Sequence, residues 1–263
     1  MKFYDFEYDG IRLSDMGFMT CTFDKESDVV TPSSTIELTM VSFNNGTDNI
    51  VVKVKHNSNV EFTFQICNTN FCNDGDSFVS SYDVSKIFQW LNRKKVLKFK
   101  PIDDNGLFTN VYFTGTFNVS TIEFGGNIIG FELSFISNKP YALTDVYVRE
   151  SGEAKNWTFT IEDISEDDGI LYPEVKIEIT KKGDLSIKNS RAKGLCNISG
   201  CVEGEKINIS YPIITSTEEN ISERFNWNFP MIYNDFRNKR NEFEVSLPCN
   251  IEMHYSPAIK MTL

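Results

Sequence analysis

The sequence predicts a mainly β protein: an N-terminal β domain carrying one short α-helix, then a C-terminal β-sandwich. Three observations lead there. Runs such as residues 35–41 and 60–67 alternate apolar and polar side chains at period two. Turn signals recur between the runs, at Asp9-Gly10, Asn44-Asn45-Gly46, Asp103-Asp104-Asn105-Gly106 and Lys181-Lys182-Gly183-Asp184. Only residues 83–91 have convincing helical spacing, with Val84, Ile87, Phe88 and Leu91 on one face and Asp83 placed to cap the first turn.

In chain order, residues 3–8 and 18–23 read as two short strands around the Ser14–Gly17 turn. Residues 24–34 are polar and contain Pro32, so they read as a loop. A hairpin follows, 35–41 returning through 50–54 around Asn44-Asn45-Gly46, where Asn and Gly tolerate the positive φ of a tight turn. The strand 60–67 puts its aromatics on one face and Glu61, Thr63 and Gln65 on the wet one, which marks Phe62 and Phe64 as core. After the helix come strands at 96–99, 111–113, 117–119 and 128–135.

A polar stretch at 145–154, with Gly152, reads as the joint between two domains, 1–144 and 145–263. Beyond it the strand pattern restarts at Trp157-Phe159-Ile161 and continues through 172–179, 185–187, 207–214, 225–229, 243–247 and 251–255. Short strands at regular spacing with no helix between them describe a sandwich.

Composition bounds the function. A chain of 263 residues can bury a self-sufficient core, and no apolar run approaches the ~20 residues of a membrane span, so membrane insertion is not expected. The N-terminal MKFYDFEYDG has acids and aromatics where a secretory signal needs an apolar core. A net charge of −11 argues against specific nucleic-acid binding, and the basic runs Arg93-Lys94-Lys95 and Arg237–Arg240 read as solvated loop charge. The six cysteines read as reduced thiols, although the like-spaced pairs Cys67/Cys72 and Cys196/Cys201 leave a zinc knuckle or local disulfides open.

No catalytic constellation emerges. His56 and His254 have no recognisable partners, and no glycine-rich phosphate loop or GxSxG elbow is present. Asp163, Asp167, Asp168 and Glu174 approach a calcium loop, but Gly169 falls one place too late. The six Asn-x-Ser/Thr triplets read as accidental in an Asn-rich chain without an export signal. No cofactor, metal or catalytic residue is assigned.

The order of these pieces resembles the phage distal tail protein family, the hub of siphophage baseplates. The resemblance rests on the helix ending in Trp90-Leu91, the strand at Tyr112 and the closing Pro140-Tyr141, with Asp9-Gly10 and Gly17 upstream. In the second half it rests on Tyr172-Pro173, Asn189, Gly204-Glu205, Phe225-Asn226, Asn241 and residues 251–257. Arg240 stands where many members have Gly, which implies a different turn there. The resemblance implies a ring-forming N-terminal domain and a galectin-like C-terminal sandwich, six copies closing a ring that joins the tail tube protein to tail-tip proteins and supports receptor-binding proteins. It further implies a structural, non-enzymatic role, a virion-tail location and assembly in the host cytoplasm. A ring of acidic subunits would repel DNA and let it slide.

The family's projecting hairpin falls near residues 35–54, which makes Ile36, Leu38 and Met40 the candidate subunit-interface residues. The alternative is a carbohydrate-binding module gripping cell-surface glycans through exposed Trp157 or Trp227, whose alternation with apolar residues nonetheless favours burial. A glycosidase would need two facing carboxyl groups, and the sequence singles out no such pair.

Overall fold

The structure, a computed structural model, describes residues 3–23, 36–42, 49–56, 59–72, 78–103 and 110–260. The chain divides into two compact units, Met1–Ala142 with Lys260–Leu263, and Leu143–Ile259. Both are built mainly of antiparallel strands. The turns read at Asn44-Asn45-Gly46 and through residues 104–106 lie outside the described residues.

Seven strands of a nine-stranded sheet run through the first unit, in the order Ile11–Arg12, Asp5–Tyr8, Leu97–Ile102, Val111–Phe124, Asn127–Ser137, Glu61–Asn68 and Phe18–Cys21. The strands predicted at 111–113 and 117–119 are one strand of 14 residues. Gly115 suggests a break, yet it marks a close approach: a Cβ there would lie 2.3 Å from the Ile136 carbonyl oxygen. The actual reversal is at Gly125-Gly126, both at positive φ, which joins Val111–Phe124 to Asn127–Ser137.

The helix spans Ser81–Leu91, and its cap is Ser80 rather than Asp83. The Ser80 hydroxyl accepts from the Asp83 backbone N–H at 3.2 Å and donates to the Asp83 carboxylate at 2.6 Å. Asp83 therefore completes the cap from inside the first turn. The helix buries Ile87, Trp90 and Leu91. Trp90 stacks on Phe6 with ring centroids 5.7 Å apart, and its indole N–H donates to the Tyr8 carbonyl at 3.1 Å. Phe62, Phe99, Phe113, Phe117 and Phe135 complete a core made largely of aromatic rings.

The second unit packs two sheets around one core. One sheet has five strands, in the order Val146–Gly152, Cys249–Tyr255, Glu174–Ile179, Lys206–Ser210 and Ile213–Ser216. The other has four: Trp157–Glu162, Arg240–Val245, Gly183–Asn189 and Cys196–Cys201. Alternate residues such as Val175, Ile177 and Ile179 point inward and Lys176 and Glu178 outward, so period two assigns both faces. Inward residues from both sheets form one cluster. A second helix, Ile221–Arg224, is absent from the sequence reading because its single turn is too short to show a period.

This helix holds the unit's main buried charge. Arg224 pairs with Glu205, whose side chain is wholly buried. The Glu205 carboxylate also accepts from Ser216 Oγ at 2.6 Å and from the Val202 N–H at 3.1 Å. Burial pushes its pKa up, but the hydrogen bonds from Arg224, Ser216 and Val202 outweigh that and hold it below the usual carboxylate range.

Candidate functional site

A candidate interaction surface stands out in the first unit by its lack of cover. Ile36–Ser42 and Asn49–His56 pair only with each other among the described residues. Leu38 sits opposite Val54, and Met40 opposite Val51, with a register shift between Thr39 and Met40 that leaves Val52 unpaired. Leu38 is 47 % exposed, Met40 50 % and Val52 63 %, and Val41 and Val51 are exposed beside them. Leu38 and Met40 share one face of the ribbon, and Glu37 and Thr39, set opposite Lys55 and Lys53, stand on the other, so an apolar face is left without cover. Two strands alone are marginally stable in water, and exposed apolar clusters mark contact surfaces.

Of the interface residues read from sequence, Leu38 and Met40 thus stand in the open ribbon, and Ile36 begins its first strand, the Ile36 side chain lying outside the described atoms. Val41, Val51 and Val52 were missed. For Val51 and Val52 a signal was present in the run Ile50-Val51-Val52, which interrupts the alternation before Lys53 and Lys55 resume it.

The tryptophans of the alternative reading fall in different places. Trp157 is half-buried, its indole N–H donating to the Leu247 carbonyl at 3.1 Å. Trp227 is 54 % exposed, contrary to the burial that alternation favoured, because its backbone has φ 59° and leaves the strand pattern. Asn226 pins that turn, accepting from the Asn197 and Asn228 N–H groups and donating to the Leu195 carbonyl.

The remaining polar candidates do not converge. Asp163 is buried, and burial raises its pKa against the opposing pull of the Ser165 and Ile164 backbone N–H groups and the Lys239 charge. Asp168 instead accepts from the Phe236 N–H at 2.9 Å, and no cluster of metal-ligating side chains occurs among the described residues. Cys196 and Cys201 are free and buried in the sandwich core. Burial pushes their pKa values up to about 12 and about 11, so neither offers a thiolate at neutral pH. Cys67 is free and pairs by hydrogen bonding with Cys21, which lowers its pKa, and the Cys72 side chain lies outside the described atoms. Arg93 in the first basic run donates to Asp9 and to the Trp90 carbonyl, and Lys239 in the second donates to the Ser165 carbonyl. No helix among the described residues is long and apolar enough to cross a membrane.

Residues 1–139 match the model of a phage tail protein N-terminal domain, and residues 141–255 that of a phage tail C-terminal domain. The chain belongs to this phage tail protein family. No curated protein sequence matches the tail protein. Among solved structures it is similar to the SPP1 Dit (gp 19.1) protein, described as a paradigm of the hub adsorption apparatus in phages infecting Gram-positive hosts. That similarity has a TM-score of 0.67 at 10 % identity and covers 97 % of this chain and 99 % of that one. At such identity the likeness establishes a shared two-unit β fold. A tryptic core variant of Bacillus thuringiensis Cry1Da aligns with a TM-score of only 0.25 at 9 % identity, over 98 % of this chain and 51 % of that one.

Proposed function

We propose that this tail protein is a distal tail hub subunit, with a structural and not a catalytic role. Residues 1–144 form the ring-building domain, and residues 145–263 a galectin-like sandwich at the periphery. Six copies close a ring in the virion tail, joining the tube protein above to tail-tip proteins below and offering the outer sandwiches to receptor-binding proteins. The observation that carries this reading is the ribbon of Ile36–Ser42 and Asn49–His56, which exposes Leu38, Met40 and Val52 and pairs with no third strand among the described residues. Laid against a neighbouring copy, it would cover Leu38, Met40 and Val52. A closed ring makes the same contact at every step, as a heterologous interface requires.

The test is the solution mass of the purified chain, by light scattering over a range of concentrations, alone and with the tail tube protein. The wild type is expected to climb toward a ring, and Leu38→Glu with Met40→Glu to hold it as a monomer with an unchanged circular dichroism spectrum. A wild type that stays monomeric in both settings would falsify the ring.

A further inference from the structure

The outward face of the five-stranded sheet in the second unit is a recess of about 770 Å³, within the range of about 300–1,000 Å³ typical of small-molecule sites. The strand register sets Arg149, Glu252, Lys176, Asn208 and Thr215 side by side across all five strands. A second row of Ser151, Asn250, Glu178 and Lys206 runs beside it. Two aromatic stacks stand at one end of the sheet. Tyr147, 70 % exposed, lies flat on His254 with centroids 4.5 Å apart. Tyr172, just before the strand Glu174–Ile179, lies on Tyr211, just after Lys206–Ser210, at 4.2 Å.

We propose that this face binds a neutral saccharide. Solvation of an outer sheet face accounts for polar rows, but not for the stacked Tyr147 and His254, which line a smaller recess of about 270 Å³ that shares Arg149, Lys176 and Glu252 with the larger one. The charges of the lining are balanced: Arg149, Lys176 and Lys206 against Glu150, Glu178 and Glu252. Several are already matched, with Arg149 Nε 3.0 Å from Glu252 and Lys206 Nζ 3.8 Å from Glu178. Such a face has no surplus cation for a phosphate chain, and neither row carries an apolar side chain for a protein segment to cover. A sugar suits it on both counts. Its hydroxyls donate to the carboxylates and accept from the cations, while its C–H faces lie on exposed aromatic rings. The site is separate from the Trp227 turn, and it holds whether or not the chain closes a ring.

The test is calorimetric titration of the full chain with neutral oligosaccharides of glucose, galactose and N-acetylhexosamine, beside a heparin fragment as the polyanion. One neutral oligosaccharide is expected to bind at millimolar concentration or below. Tyr147→Ala and Lys176→Ala should each weaken it about tenfold, while Trp227→Ala leaves it unchanged. All three side chains are exposed, and matching melting curves would show that each variant folds. The proposal is overturned if no neutral oligosaccharide in the panel binds, if heparin competes at equal concentration, or if Trp227→Ala abolishes binding and Tyr147→Ala does not.

Discussion

The two units solve the same problem with different side chains. The first fills its interior with rings: Phe99 alone lies within 6.4 Å, centroid to centroid, of Phe6, Phe62, Phe64, Phe113, Phe117 and Phe135. The second fills the space between two sheets chiefly with branched aliphatics, among them Val175, Ile177, Ile187, Ile207, Ile209 and Ile251. The difference follows from the layers. Two facing sheets interdigitate compact β-branched side chains across a gap of about 10 Å. The first unit packs its large sheet against the helix Ser81–Leu91, so long rings must reach across from the strands to meet Trp90. Aromatic pairs also contribute about 0.5–1.5 kcal/mol each beyond their buried area.

That contrast breaks most sharply at Phe99. Phe99→Ala should destabilise the first unit by about 4 kcal/mol, with the loss seen by calorimetry falling on that unit's transition. A similar loss in the second unit's transition would show that the aromatic cluster is not a local feature. The second unit's own weak point is polar. Removing Glu205 leaves Arg224 without its partner, so Glu205→Ala should cost about 3 kcal/mol at neutral pH.

The sign of the pH dependence follows from the lowered Glu205 pKa in the fold. Its contribution is full above the unfolded value of about 4.3 and is lost as pH falls through the folded value. Urea unfolding of wild type and variant should therefore converge in strong acid and separate toward neutrality. A constant gap would sink the assignment. The smallest effect belongs to the helix. Ser80→Ala should cost about 1 kcal/mol, whereas Asp83→Asn, which keeps an acceptor for the Ser80 hydroxyl, should cost less; the opposite order in melting temperature would restore Asp83 as the cap.

Much of the fold was readable in the chain because period two and period 3.6 are local properties. Glu61–Asn68 exposes Glu61 and Thr63 and buries Phe62 and Phe64 as its alternation required. The helical face at Ile87 and Leu91 was equally plain, and only its cap was displaced by three residues. Part of the exposed ribbon was legible too, since alternation puts Leu38 and Met40 on one face, while their lack of cover needed the observation that no third strand pairs with the ribbon among the described residues.

Alternation along one strand says which side chains share a face, and so it set the inward and outward residues of both units. It cannot say what that face meets. Whether Gly115 ends a strand or admits the Ile136 carbonyl depends on residues twenty or more positions away. The Glu205–Arg224 pair and the Arg149, Lys176 and Asn208 recess likewise join segments far apart in the chain. Trp227 is exposed because its backbone turns to positive φ at one residue, a departure that no periodicity records. Those features belong to the register between strands and the curvature of whole sheets, which arise only when distant segments pack together.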